Sequence, residues 1–146
     1  MSPSPFDELR SVCEKHNIGL MYVFGSRQEA VLNRLRDPTA DIEWDGMADA
    51  DAGVVFRFPL EDRTPSHKLY SALFTDLEDL VKPLPLDLVL LQQCHSVMQY
   101  EAIKGSCVYE ISERFREEFE MSVLRRVPDF RKMLRKFNQE LLEETL

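Results

Sequence analysis

The sequence predicts a single α/β domain, with one small mixed β-sheet flanked by helices and a helical C-terminal extension. Short apolar runs typical of buried strands alternate with segments whose apolar residues recur at helical spacing. The chain has 146 residues, 44% hydrophobic and 30% charged, as in a folded domain with one core. We therefore expect one domain over residues 1–146, with the helical extension covering about 112–146.

The first half of the chain predicts two helices and two strands. Ser4 and Pro5 are typical of an N-cap and a first helical position, and a helix follows them. The apolar run over residues 20–24 predicts a buried strand that ends in a Gly-Ser dipeptide. A short helix is expected over 28–36, then a polar, acidic, irregular stretch, then a strand over 52–58.

The second half predicts the rest of the sheet and the extension. A helix beginning near Thr64 carries a leucine stripe and ends at prolines 83 and 85. A strand over 86–91, a helix over 96–104 and an edge strand over 107–111 follow. Two helices complete the chain, and the second, from Pro128, carries an apolar stripe suited to core packing or to a partner.

Charge and composition exclude several classes of function. Lys and Arg number 18 and Asp and Glu 26, so the net charge is −8, which argues against binding nucleic acid or an anionic membrane. No apolar run approaches the roughly 20 residues that span a bilayer, and the N-terminus does not resemble a secretory signal. The three cysteines form no disulfide or metal-binding pattern, so we expect a cytoplasmic protein.

Two short motifs suggest phosphate and metal binding. Gly25 and Ser26 end the first strand, where backbone N–H groups and a hydroxyl at the next helix could bind phosphate, although such dipeptides also end strands for local reasons. Asp49 and Asp51 precede the second strand and share one face of an extended chain, which suits Mg²⁺ unless they form a solvated acidic turn. A competing pair, Asp41 and Glu43, is not followed by an apolar strand.

Asp87 is the third carboxylate of interest. It lies in a run that is otherwise apolar on both faces, so we expect a buried charge that needs a metal, a basic partner or a shifted pKa. The alternatives are a position near the strand start that reaches solvent, or a salt bridge to an arginine. Together with the two preceding motifs, Asp87 favours two-metal phosphoryl or nucleotidyl transfer.

In this order, Gly25-Ser26, Asp49-Ala50-Asp51 and Asp87 resemble the signature of a minimal nucleotidyltransferase (MNT) domain of the DNA polymerase β superfamily. The likeness continues through residues 100–105 and 108–110. The resemblance implies the nucleotidyltransferase fold and transfer of a nucleoside monophosphate, with AMP from ATP as the preferred case, to a hydroxyl of a protein or small molecule. It also implies an antitoxin that acts beside a HEPN-type toxin.

The same resemblance assigns the site residues. Gly25 and Ser26 would hold the β- and γ-phosphates of the nucleotide, with Arg27 as a further phosphate contact. Asp49 and Asp51 would bind two Mg²⁺ ions, and Asp87 would share the catalytic ion and help deprotonate the acceptor hydroxyl.

The sequence departs from the family pattern in its phosphate loop. Residues 27–48 make a longer connection than the family has, and Gln28-Glu29-Ala30 replaces the usual small, basic and glycine residues. These changes motivate a second hypothesis, a weakly active or inactive antitoxin that neutralises its partner by direct binding. The apolar C-terminal helices would then form the interface, or would join two copies in a homodimer.

Overall fold

The computed structural model describes residues 4–60 and 67–126. The elements follow one another as helix α1 (Pro5–Lys15), strand β1 (Ile18–Phe24), α2 (Gln28–Arg36), β2 (Ala50–Phe56), α3 (His67–Val81), β3 (Leu86–Leu90), a 3₁₀ turn (Leu91–Gln93), α4 (Ser96–Lys104), β4 (Ser106–Glu110) and α5 (Glu113–Arg125). This confirms the predicted order as far as α5. The helix expected from Pro128 lies outside the described residues.

Local chemistry explains where the helices begin. Ser4 caps α1 by accepting a hydrogen bond from the backbone N–H of Asp7, whose carboxylate accepts one from the N–H of Ser4. Pro5 occupies the first turn, as its sequence position predicts. Ser112 caps α5 in the same way by accepting from the N–H of Phe115.

The four strands form one mixed sheet in the order β3-β2-β1-β4. Strand β1 is antiparallel to both β2 and β4, whereas β2 and β3 run parallel. The prediction of an edge position for the fourth strand is therefore confirmed. Because β1 is antiparallel to β2, the C-terminal end of β1 lies beside the N-terminal ends of β2 and β3. These three strand ends lie together at one end of the sheet.

Helices cover both faces of the sheet and create two cores. The larger core lies under α1, α2 and α3 and includes Leu9, Val31, Leu77 and Val54. The smaller core lies under α4 and α5 and includes Leu20, Tyr22, Leu91 and Ala102. Side chains alternate between these faces along each strand, so any strand residue can be assigned to one side of the sheet.

Some element boundaries differ from those expected. Strand β2 begins two residues earlier than predicted, at Ala50, so Asp51 lies inside the strand and only Asp49 precedes it. In α3, Leu73 and Leu77 of the leucine stripe are buried, while Leu69 is exposed. Among the described residues, no helix is both long and apolar enough to cross a bilayer.

Candidate active site

The predicted site residues converge where β1 ends and where β2 and β3 begin. Phe24, the last residue of β1, is paired with Asp51 of β2. Asp51 is in turn paired with Asp87 of β3. Gly25 and Ser26 follow β1 directly and lead into α2. The tertiary structure thus brings together motifs that are separated by more than half of the described chain.

Asp51 and Asp87 form an acidic pair on one face of the sheet. They are register partners in parallel strands, so their side chains project to the same side. The neighbours Ala52 and Leu88 pack into the larger core, which places both carboxylates on the opposite face, the one that α4 and α5 cover.

The pKa of Asp51 is raised above its usual value by several causes. Partial burial contributes most, followed by the negative charge of Asp87, by a hydrogen bond with Asp87 that favours the protonated form of Asp51, and by the charge of Asp49. Two carboxylates this close disfavour each other's charge unless a cation is present. The pair is therefore chemically suited to a divalent cation with oxygen ligands, such as Mg²⁺.

Asp87 differs from the sequence-based expectation in its exposure. Its side chain is exposed to solvent, although Leu86 and Leu88 on either side are buried. The prediction of a buried charge is therefore wrong, and the alternative of a position near the strand start that reaches solvent is correct. The strand's buried face explains the apolar neighbours, and Asp87 belongs to the other face.

Asp49 lies at the margin of the acidic pair. It is exposed and precedes β2, and its charge is the last of the causes that raise the pKa of Asp51. Across residues 4–60 and 67–126, no three His, Cys, Asp or Glu side chains are grouped closely enough to hold one metal ion together. The donor chemistry of Asp51 and Asp87 fits Mg²⁺, and Asp49, two residues before Asp51 in the chain, is a further carboxylate at the margin of the pair.

Gly25 places the backbone of the turn directly against Asp51. Its φ is +80°, in the left-handed region that favours glycine. A Cβ built on Gly25 would overlap the carboxylate oxygen Oδ2 of Asp51. Any other residue would thus face both backbone strain and a collision with the acidic pair.

The N-terminus of α2 faces this turn without a side-chain cap. The N–H of Gln28 donates to the carbonyl oxygen of Gly25 at 3.3 Å, so the turn and the helix are continuous. Ser26 is exposed between them. An uncapped helix N-terminus beside an exposed serine hydroxyl suits a phosphate group, because the first-turn amides carry partial positive charge. The Gln28 side chain donates to Ser106 Oγ at 2.6 Å and ties the start of α2 to β4, a contact that no sequence motif indicates.

Arg27 is held by a residue that the sequence analysis did not single out. Its guanidinium Nη2 lies 3.0 Å from Oδ1 of Asp45, in the loop between α2 and β2. The Nε atom of Arg27 is buried and has no hydrogen-bond partner among the residues that the structure describes. The pKa of Asp45 is lowered chiefly by the backbone N–H of Met47, and also by Arg27. The acidic character of residues 41–45 was a sequence signal, but the pairing itself was not.

The competing pair Asp41 and Glu43 lies on the exposed side of the loop before β2. Both residues are exposed, while Ile42 between them packs into the larger core. Neither residue contributes to the pKa shift of Asp51, in contrast to Asp49.

Solved structures share this fold across almost the whole chain. A toxin–antitoxin complex with AMP-PNP matches at a TM-score of 0.58 and 14% identity, covering 96% of this chain and 97% of that one. The complex of a tri-AMPylated Shewanella oneidensis HEPN toxin with MNT antitoxin matches at 0.55 and 14%, covering 97% and 95%. The toxin–antitoxin pair MntA-HepT matches at 0.55 and 13%, covering 97% and 96%.

These similarities establish the fold, which is the nucleotidyltransferase fold of the MNT antitoxins. The resemblance seen in the sequence motifs is confirmed at that level. No protein-family profile matches the sequence. No curated protein is similar enough in sequence to count as a relative.

Proposed function

We propose that the protein is a Mg²⁺-dependent nucleotidyltransferase that transfers AMP from ATP to a hydroxyl group of a partner protein. The observation that carries this proposal is the pairing of Asp51 with Asp87 beside the Gly25 turn. The carboxylates of Asp51 and Asp87 could bind a cation, and the uncapped N-terminus of α2 could bind phosphates. Both groups lie beside the Gly25 turn. That combination suits a reaction that attacks one phosphate while the others leave as pyrophosphate.

The nucleotide would bind through the turn after β1. Gly25 lets the backbone approach the β- and γ-phosphates, and the Ser26 hydroxyl and the first amides of α2 donate hydrogen bonds to them. Arg27 adds a positive charge at the start of α2. The phosphates would then lie against Asp51, which is where a cation bridging carboxylate and phosphate is needed.

Asp49 and Asp51 would hold two Mg²⁺ ions, with Asp87 sharing the ion nearest the acceptor. Bound Mg²⁺ would neutralise phosphate charge and lower the pKa of the attacking hydroxyl. In the transfer, the acceptor oxygen bonds to the α-phosphorus and the bond from that phosphorus to the β-phosphate oxygen breaks. Asp87 is exposed and so is placed to take the proton of the acceptor hydroxyl.

The acceptor would be a HEPN-type toxin, with this chain as its antitoxin. Structures with the same fold are complexes of that kind, and one contains a toxin AMPylated three times. We place the reaction in the cytoplasm, because it consumes ATP and because the free, exposed thiol of Cys107 suits a reducing compartment.

Transfer of radiolabel from α-labelled ATP tests this function. Wild-type protein, Mg²⁺ and a HEPN-type toxin should yield a labelled toxin. Asp87→Asn should lower the rate by about 10²–10⁴-fold through loss of the base. Glu14→Gln removes the same charge from an exposed position on α1, which packs on the other face of the sheet, and should leave the rate unchanged. Absence of transfer by the wild-type protein with any nucleoside triphosphate would contradict the proposal.

A second candidate is a binding antitoxin with a weak or inactive site. The specific observation is that Asp45 already engages Arg27, the cation expected to contact phosphate. Calorimetric titration with Mg²⁺-ATP separates the two functions. Absence of nucleotide binding, together with neutralisation of the toxin by the Asp87→Asn variant, would favour the binding antitoxin. The helices around Phe130–Leu142, which this hypothesis would use as the interface, lie outside the described residues.

A further inference from the structure

We propose that residues 41–48, here called the rim loop, form the docking surface for the acceptor protein, and that the docked surface is apolar and basic. This inference rests on the proposed function, because it names where the acceptor binds. It concerns the extra residues of the α2–β2 connection.

The rim loop has a defined conformation. The carboxylate of Asp45 accepts from the backbone N–H of Met47 at 2.9 Å and pairs with Arg27. The indole N–H of Trp44 donates to the carbonyl oxygen of Ala48 at 3.0 Å. Ile42 anchors the start of the loop in the larger core. These contacts fix the backbone of the loop, which reduces the entropy lost on binding a partner.

Two large apolar side chains point into solvent from this loop. Met47 is 85% exposed and Trp44 is 46% exposed. The polar atom of the indole is already used within the loop, so Trp44 offers mainly its ring. Trp and Met are enriched in the cores of protein interfaces, where a few such residues supply most of the binding energy. Three residues apart on one loop, they have the composition of a small binding patch.

The rim loop borders the candidate active site on two sides. Its last residue, Ala48, directly precedes Asp49, and Asp45 contacts Arg27 beside the Gly-Ser turn. An acceptor hydroxyl has to reach the exposed carboxylate of Asp87 on the neighbouring strand. A protein that delivers this hydroxyl would thus approach the end of the sheet that the loop borders.

Charge gives the chemistry of the partner surface. Asp41 and Glu43 are exposed at the start of the rim loop, and the chain as a whole carries a net charge of −8. Carboxylates flanking an apolar patch favour a partner with apolar side chains at the centre and Lys or Arg at the edge. Opposite charges would also speed association at low salt.

A different use of Trp44 would be as a stacking platform for the adenine base. One ring would be enough for that purpose, and it would leave the exposure of Met47 unexplained. The protein partner accounts for both side chains, so we favour it. The two uses make opposite predictions for the Michaelis constants of ATP and of the acceptor.

Steady-state transfer kinetics and affinity measurements with the HEPN-type acceptor protein test the proposal. Met47→Asp should raise both the KM for the acceptor and the Kd of the complex by about tenfold, with the KM for ATP unchanged. Met121→Asp alters another exposed methionine, on α5, and should change neither by more than about twofold. Trp44→Phe, which keeps an aromatic ring, should raise the acceptor KM and the Kd less than Trp44→Ala does.

Trp44 also provides a direct signal, because it is the only tryptophan of the chain. With 5-fluorotryptophan incorporated, the single ¹⁹F resonance should shift on adding the unlabelled acceptor protein. A raised KM for ATP in Trp44→Ala, with the KM for the acceptor unchanged, would overturn the proposal in favour of base stacking.

The remaining outcomes separate this proposal from the proposed function. Transfer with an acceptor KM unchanged in Met47→Asp and Trp44→Ala would overturn the rim loop as the docking surface while supporting the enzyme. Weakened binding in Met47→Asp without any transfer by the wild-type protein would support the docking surface while contradicting the enzyme. Failure of the acceptor protein to bind at all would overturn the docking proposal.

Discussion

The Cα of Gly25 lies so close to the carboxylate of Asp51 that a Cβ at this position would overlap Oδ2. The contact joins the two motifs of the candidate site, the turn after β1 and the acidic strand β2. It gives the glycine a role in the site as well as in the turn, because a side chain there would displace the carboxylate that the chemistry needs.

Gly25→Ala should therefore abolish Mg²⁺-ATP binding and lower the free energy of unfolding. The left-handed backbone costs about 1–2 kcal/mol with a Cβ, and the collision with Asp51 adds to this cost. Gly46→Ala is a matched control, because its φ is +81° and no atom of the described part of the chain lies within 4 Å of the added Cβ. Calorimetry and thermal unfolding of both variants separate collision from backbone strain. Equal losses of Mg²⁺-ATP affinity and of unfolding free energy in the two variants would contradict the role of the contact between Gly25 and Asp51.

The acidic pair should make the protein less stable as pH rises in metal-free buffer. The folded pKa of Asp51 is raised above its ordinary value of 3.8, so its stabilising contribution is present below that pH and is lost as pH rises through the folded pKa. Asp51→Asn cannot ionise at this position, so the variant should not lose stability in this way. Its Tm should exceed that of the wild type by a larger margin at pH 7 than at pH 4. The margin should be a few degrees at most, because solvent screens this partly exposed group.

Thermal unfolding at the two pH values, after chelating resin has removed metal, checks this result. Asp41→Asn, on the exposed loop, serves as the control for a general loss of negative charge. A Tm gain for Asp51→Asn that is the same at pH 4 and pH 7 would contradict the pairing of Asp51 with Asp87.

Bound Mg²⁺ should restore the folding stability that is lost when Asp51 and Asp87 are both negatively charged. A ligand present at a hundredfold excess over its Kd stabilises the folded state by about 2.7 kcal/mol, so the Tm of the wild type should rise with Mg²⁺ concentration. Asp51→Asn should lose most of this rise, whereas Asp41→Asn should retain it. The titration is run at constant ionic strength with NaCl, because salt alone screens the net charge of −8. An equal rise in wild type and Asp51→Asn would place the Mg²⁺ effect elsewhere.

Asp45 should compete with the nucleotide for Arg27. Asp45→Asn keeps an oxygen that can accept from the N–H of Met47, so the loop conformation is preserved, but it removes the negative charge beside the guanidinium. We expect the KM for ATP to fall several-fold and the kcat to change little. Arg27→Ala should instead raise the KM for ATP. A raised KM in Asp45→Asn would show that Asp45 orients Arg27 for phosphate rather than competing for it.

Several features of the site follow from local patterns in the sequence. The apolar run before Gly25-Ser26 ends where β1 ends, because an apolar strand followed by glycine indicates a turn. The capping of α1 by Ser4 was equally predictable, since a side-chain oxygen three residues from an acidic residue forms a capping box. The longer α2–β2 connection was visible as a polar, acidic stretch.

Other features depend on contacts between distant residues. The pairing of Arg27 with Asp45 requires the loop to fold back over the start of α2, and no periodicity encodes this. The exposure of Asp87 was mispredicted because its apolar neighbours suggested burial on both faces, whereas β3 is an edge strand whose first residues are covered on one face. A strand is buried on both faces only where helices pack on both sides of it, and this depends on the tertiary structure.

The sequence by itself determined the α/β class, the order of elements as far as α5, and the identity of the acidic and glycine residues, because these depend on short-range spacing and turn chemistry. Only the tertiary structure decided that Asp51 faces Asp87, that Gly25 lies against Asp51, and that Asp45 engages Arg27. Those relationships follow from strand register and loop packing, which join residues far apart in the chain and are set by the burial of both cores together.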